Sequence, residues 1–100
     1  ANGVLVLSGD RHWAELSVER EGVPYPIRDL TSSSFNQLHE RGTPTENSKR
    51  ALPSTWHREN FGEVAIDWKG EETVVHLRVR DLEGKVVIEE AVALRELRAR

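Results

Sequence analysis

The sequence predicts a mainly β fold of antiparallel strands and hairpins, and three observations support this expectation. Apolar and polar residues alternate over several short segments, which is the period of half-buried strands. One further segment, residues 4–7, is apolar at every position, as in a strand that is covered on both faces. Gly, Pro, Asn and Asp punctuate these segments as turn residues do. One hundred residues leave room for a single domain.

Composition excludes several classes of protein. With 37% hydrophobic and 31% charged residues the chain is typical of a globular protein, not of a collagen-like, low-complexity or disordered one. Fourteen Lys and Arg against 17 Asp and Glu leave a net charge of −3, so nothing favours nucleic-acid binding or an anionic membrane surface. The chain has no Cys, which excludes disulfides and thiolate sites. No apolar run approaches the ~20 residues of a membrane span.

Three strands are expected in the first third of the chain. Residues 4–7 predict a strand buried on both faces that runs into a turn. Strict alternation over residues 14–19 predicts a half-buried strand. The two prolines within residues 23–26 lack a ladder donor, so this stretch is an edge or entry segment for a possible strand over residues 27–32.

Residues 35–60 form a long, mostly polar connection without a sustained period. A connection of this length is usually functional or disordered. Within it, Thr43, Pro44 and Glu46 fit a capping box with proline at the first helical position. They predict one short helix from about residue 44 to residue 52, which the next proline would end.

The last 40 residues predict two hairpins. Residues 63–68 and 73–80 alternate and should form antiparallel strands, followed by a turn in which Gly84 is available for a positive φ and by a final strand. The charged tail, residues 95–100, suits a frayed helical turn. The residues expected on the inward faces are Val64, Ile66 and Trp68, then Thr73, Val75, Leu77 and Val79, then Val86, Ile88, Val92 and Leu94.

The segment Ser8-Gly9-Asp10-Arg11-His12-Trp13 is the sharpest chemical feature, because it directly follows the apolar strand. Gly9 permits a sharp turn that a Cβ would obstruct. If the chain is extended there, Asp10 and His12 point to the same side, and a carboxylate oxygen and an imidazole nitrogen converge as metal ligands. Such mixed ligands suit iron, zinc or manganese. An Asp-capped turn followed by an exposed His explains the same residues.

Three segments occur in a fixed order: Val4-Leu5-Val6-Leu7-Ser8-Gly9-Asp10-Arg11-His12-Trp13-Ala14-Glu15, then Asp29-Leu30-Thr31-Ser32-Ser33-Ser34, then Asn60-Phe61-Gly62 with residues 63–68. Together they resemble the C-terminal part of PhoD-like alkaline phosphatases, within the calcineurin-like metallophosphoesterases. The Gly-Asp-x-His element stands where that superfamily carries its final Gly-His-x-His motif. The resemblance implies that Asp10 and His12 are metal ligands and catalytic residues.

The resemblance also implies what surrounds this chain. The full enzyme would be a phosphomonoesterase or phosphodiesterase with a four-layer α/β sandwich and a two-metal site, with iron and calcium favoured and zinc or manganese as alternatives. The earlier metal motifs of the superfamily are missing from these residues, and the chain starts on a strand without Met. We therefore expect a closing segment that supplies one ligand strand, needs the remainder of a parent phosphatase and is inactive alone. A secreted, periplasmic or cell-surface location is implied by the resemblance only.

Two other residues are candidates for binding the phosphate ester. Arg41 lies in the locally basic part of the long connection, which could grip a phosphate or could be a solvated loop. Asn60 could orient an active-site group or form a turn. The hydroxyls of residues 31–34 could donate to phosphate or cap a strand end. A non-catalytic β domain that binds a protein or completes a larger fold is the alternative to the enzyme.

Overall fold

The computed structural model describes residues 2–10, 12–35, 47–50 and 55–99, and it shows two three-stranded sheets. In the first sheet β3 lies in the middle, parallel to β1 and antiparallel to β2. The second sheet is an antiparallel meander in the order β4, β5, β6. The mainly β expectation is thereby confirmed. The strands are β1 (Val6–Ser8), β2 (Ala14–Glu19), β3 (Ile27–Ser32), β4 (Asn60–Asp67), β5 (Val74–Asp81) and β6 (Val86–Ala93).

One apolar core joins the two sheets. In the first sheet Leu16 and Leu30 are directly paired, and in the second Val75 is paired with Val92, so each pair projects to one face. These faces pack together, so the apolar rows predicted to face inward over residues 14–19 and 73–80 are confirmed. The buried cluster consists of Ala14, Leu16, Tyr25, Leu30, Val75, Leu77, Val79, Ile88, Val92 and Leu97.

Strand β1 is exposed, so the expectation of a strand buried on both faces is wrong. Val6 is 39% exposed and Leu7 is 62% exposed. β1 has only three residues and pairs with β3 on one side, and no described residue covers its outer end. An apolar run indicates a preference for burial, but burial itself requires a covering layer.

Strand β2 is more deeply covered than its alternating pattern predicts. Its free edge is closed by residues 47–50 and by Trp56: the Val18 N–H donates to the Lys49 carbonyl at 2.7 Å, and the Ala14 N–H donates to the Trp56 carbonyl at 2.8 Å. Glu15, on the expected polar face, is only 7% exposed. The long connection therefore supplies pairing for an edge that would otherwise be open.

In β4 the predicted phase is right, but the predicted burial is wrong. Val64 pairs with Leu77 and Ile66 pairs with Val75, so both side chains lie on the face that carries the core. Val64 is nevertheless 43% exposed and Ile66 44%, and Trp68 beyond the strand is 70% exposed. The first sheet does not extend over this edge. We call Leu7, Val64 and Ile66 the open apolar surface.

The outer face of the second sheet carries a cross-strand ladder of charges. Glu63 on β4, Arg78 on β5 and Glu89 on β6 are neighbours in register, and Arg78 forms ion pairs with both carboxylates. Hydrogen bonds from Arg80 and then Arg78 hold the pKa of Glu63 below its ordinary value. The hydrogen bond from Arg78 does the same to the pKa of Glu89, and both carboxylates raise the pKa of Arg78.

The turns and the tail agree with the sequence, and the predicted short helix does not. Gly84 has a φ of 84° in the β5–β6 turn, and a 3-10 helix, Leu94–Leu97, follows β6. Of the helix expected over residues 44–52, the described residues 47–50 form a turn and a β-bridge from Arg50 to Ser17. Its remaining residues lie outside the described part of the chain. No described helix is long and apolar enough to cross a membrane.

Candidate functional site

The predicted site lies at the edge of the first sheet where β1 and β3 end. These strands are parallel, and Ser8, the last residue of β1, is in register with Thr31, one residue before the end of β3, so the chain leaves both strands at one edge. β4 begins at the same place, because the Asn60 N–H donates to the Ser34 carbonyl at 2.9 Å. Carboxyl ends of parallel strands are where loops converge and ligands commonly bind. The topology therefore brings together the three segments that carry the family resemblance.

Asp10 and His12 do not lie in an extended chain, so that premise is wrong. Their φ angles are 75° and 61°, and they are the non-glycine residues with positive φ in the described chain. The left-handed region is unfavourable for residues with a Cβ, and it must be held in place by its surroundings. Ser33 holds it here: its Oγ accepts the His12 N–H at 2.9 Å and donates to the Trp13 carbonyl at 3.1 Å.

Gly9 does not have the role expected from its lack of a Cβ. A Cβ built at Gly9 would lie 3.5 Å from the Ser33 Cβ, which is an ordinary van der Waals contact. Its φ is also outside the positive range that the neighbouring residues adopt. The positive φ angles lie at Asp10 and His12 instead, where the Cβ makes this conformation less favourable than it would be at a glycine.

The described residues do not by themselves fit a resident metal centre. Asp10 is exposed and His12 is half-buried, and no group of three or more His, Asp or Glu in the described ranges could hold an ion. A catalytic zinc site, for comparison, takes three protein ligands. Asp10 and His12 are two, so a metal centre at this edge would need further ligands from outside the described residues.

Asn60 is a buried junction between the two sheets. It is 1% exposed; its Oδ1 accepts from the Ser32 Oγ at 2.6 Å and its Nδ2 donates to the Arg58 carbonyl at 2.8 Å. The bond to Ser32 ties the end of β3 to the start of β4, and the bond to Arg58 is local. A contact of Asn60 with substrate stays a prediction. Arg41, the other predicted binding residue, lies outside the described residues.

The hydroxyl groups at this edge mostly bond to the protein. The Ser8 Oγ donates to the Asp29 Oδ1 at 2.6 Å and lies 2.8 Å from the Thr31 Oγ1. Ser34 differs, because it is fully buried and its Oγ has no hydrogen-bond partner in the described part of the chain. Its burial depends on the approach of β4, so the sequence contains no signal that distinguishes Ser34 from its neighbours.

Two basic residues described in the long connection, Lys49 and Arg50, are bound to β2. The Arg50 Nη2 lies 2.6 Å from the Glu15 Oε2, and the Lys49 Nζ lies 3.2 Å from the Glu19 Oε1. The backbone N–H of Glu21 and then Lys49 lower the pKa of Glu19. For these cations the structure favours neutralisation of β2 carboxylates over a phosphate grip.

Comparison of the chain with protein-family models, curated proteins and solved structures gives no match. The three ordered motifs meet at one edge of the first sheet. There two residues have a left-handed backbone, Ser33 bonds to the second of them, and a buried asparagine lies at the start of β4.

Proposed function

We propose that this chain is the closing β segment of a phosphoric ester hydrolase similar to the PhoD-like phosphatases, and that Asp10 and His12 belong to its active site. The observation that carries the proposal is the left-handed backbone of both residues at the carboxyl end of a parallel strand. Backbone strain of this kind clusters at active sites, where it positions side chains that a relaxed turn would place elsewhere. The isolated chain should be inactive.

The neighbourhood of Asp10 and His12 is suited to hold a reacting group in place. Ser33 bonds to the backbone on both sides of the His12 to Trp13 step, and Asn60 fixes β4 against β3. Phosphoryl transfer depends mostly on positioning and charge stabilisation, so a rigid edge of this kind is a large part of what a protein contributes. Asn60 and Arg41 remain the proposed substrate-binding residues.

The open apolar surface is where we propose that the remainder of the parent phosphatase packs. Leu7 and Val64 line one groove of about 240 Å³, between the exposed edges of the two sheets. Covering apolar surface contributes roughly 25 cal/mol per Å², so three side chains on core-facing rows favour a covering layer. The proposed active-site edge is adjacent, because Ser8 and Ser32 line the same groove.

A non-catalytic β domain is the second candidate, and the same surface favours it. An exposed apolar patch rimmed by polar groups is typical of a protein-binding site. The two candidates differ at Asp10 and His12: a binding domain does not need either side chain, whereas the hydrolase loses activity without them.

The test is hydrolysis of bis(p-nitrophenyl) phosphate, with Mn, Zn, Fe or Ca added. The 100-residue chain should show no turnover above a chelated control, whereas the parent protein should hydrolyse the ester. Within the parent, Asp10→Ala and His12→Ala should each reduce the rate by more than about 100-fold. Changes to residues that only hydrogen-bond to a metal ligand typically reduce affinity or activity by about 10- to 100-fold. Glu71→Ala, at an exposed turn position, is the matched control and should leave the rate unchanged.

Two results would contradict this proposal. Metal-dependent turnover by the 100-residue chain would show that its site is complete. Near-normal turnover of the parent after His12→Ala, with metal content retained, would reduce the Gly-Asp-x-His element to an ordinary turn and would favour the binding domain.

A further inference from the structure

An arginine-lined cavity lies at the opposite end of the first sheet from Asp10 and His12. Its volume is about 590 Å³, within the range of small-molecule sites. Four arginines line it, together with Glu96 and the apolar segment of residues 23–26; they are Arg20, Arg28, Arg95 and Arg98. We propose that this cavity, here called the arginine pocket, binds a phosphate dianion, preferably that of an organic phosphate.

Arg28 is the observation that points to a ligand. The residue is 6% exposed, and its Nε lies 3.3 Å from the Glu90 Oε2 on the facing sheet. Its Nη1 is buried and has no hydrogen-bond partner in the described part of the chain. A buried guanidinium donor without a partner is unfavourable. Arg28 also lines the arginine pocket, so a turn of its guanidinium toward the cavity would let an anion accept this hydrogen bond and remove the penalty.

The carboxylates around the arginine pocket do not neutralise its four arginines. Arg20 and Arg98 make no ion pair with a described residue, and Arg95 reaches Glu72 only at 3.6 Å while its side chain is 76% exposed. Glu96 is occupied, because its Oε2 accepts the Ala93 N–H at 2.9 Å. Even with Glu72, Glu90 and Glu96 counted against the four arginines, the pocket carries a net positive charge.

The lining favours phosphate over a carboxylate. Guanidinium groups match phosphate oxygens with paired donors, and several of them can share one tetrahedral dianion. Pro24, Tyr25 and Pro26 form an apolar wall beside the arginines, which suits the carbon portion of a phosphate ester. Inorganic phosphate shares the anion chemistry but would leave this wall unused.

This inference is independent of the proposed hydrolase. Arg28 lies near the start of β3, whereas Ser32 ends the strand next to the candidate active site. Four residues of extended strand separate them by roughly 13 Å. Loss of either proposal therefore leaves the other unaffected.

The test is titration of the 100-residue chain with phenyl phosphate, inorganic phosphate and benzoate, followed by NMR chemical shifts. Saturable binding of either phosphate, with shifts at Tyr25, Arg28 and Arg98, supports the proposal. Tighter binding of phenyl phosphate than of inorganic phosphate supports the preference for an organic phosphate, and equal affinity would overturn that preference. Benzoate should bind more weakly than phenyl phosphate, and equal binding of these two would overturn the phosphate assignment.

Variants test the location. Arg20→Gln and Arg98→Gln change exposed side chains, and each should weaken phosphate binding by about 1.5- to fivefold, the range of single exposed charges. Lys85→Gln removes one charge from the distant β5–β6 turn and should leave binding unchanged. Because Arg28 also pairs with Glu90, these surface variants decide the question even where Arg28→Gln does not fold. Unchanged affinity in the Arg20→Gln/Arg98→Gln double variant, or no saturable binding of phosphate, would overturn the proposal.

Discussion

Comparing His12→Gly with His12→Ala should separate backbone strain from the chemistry of the side chain. His12 has a φ of 61°, where a Cβ destabilises the native backbone by about 1–2 kcal/mol. Glycine lacks this penalty but loses about 0.4–1 kcal/mol through the entropy of the unfolded chain. His12→Gly should therefore be more stable than His12→Ala by roughly 0.5–1 kcal/mol, since both variants lack the imidazole and both keep the N–H that bonds to Ser33.

Thermal unfolding by circular dichroism measures the difference directly. In a domain of this size roughly 0.5–1 kcal/mol corresponds to about 2–8 °C in Tm, with His12→Gly melting higher. Glu21 supplies the matched control, because it is exposed and is not among the residues with positive φ. At this position the order should reverse, with Glu21→Ala more stable than Glu21→Gly. If His12→Ala melts at or above His12→Gly, the left-handed conformation is not strained and the argument for a held active-site backbone fails.

Three further predictions concern stability. Asn60→Ala should destabilise the chain by about 1–3 kcal/mol in urea unfolding, because the bond to Ser32 between the sheets and the local bond to the Arg58 carbonyl are both lost. The hydrogen bond from Arg78 holds the pKa of Glu89 below its ordinary 4.5, so this pair stabilises the fold fully above pH 4.5 and less as the pH falls through the lower folded pKa. In Glu89→Gln the unfolding free energy should therefore depend less on pH between pH 6 and pH 3. Leu77→Ala should cost about 2–5 kcal/mol, whereas Val64→Ala on the same row should cost much less; equal losses would show that the open apolar surface is covered.

The strand pattern was largely predictable, because the period of side chains along a strand is a local property. β3 occupies residues Ile27–Ser32 as expected, and the alternating stretches form β2, β4 and β5. Even β4 has the predicted phase, since Val64 pairs with Leu77. The short helix was not predictable in the same way, because its capping residues indicate where a helix can start but not whether pairing with β2 will replace it.

The candidate site was predictable in its residue types and not in its geometry. Asp10, His12 and Asn60 could be selected because they follow or begin strands and match the motifs of a known family. The sequence does not indicate that Asp10 and His12 adopt a left-handed backbone, because the partner that fixes His12 is Ser33, 21 residues further along the chain. The buried Ser34 hydroxyl and the unpartnered Arg28 Nη1 likewise result from contacts between the sheets.

The sequence by itself therefore determined the class of the fold, the order and phase of most strands, and the candidate site residues. Each of these depends on residue types and on neighbours along the chain. Only the tertiary structure decided which apolar rows are covered and which polar groups meet. β1 was expected to be buried and is open, while Glu15 on β2 is buried against Arg50. The physical reason is that burial and hydrogen-bond satisfaction depend on what another segment places opposite a residue, and strand periodicity carries no information about that segment.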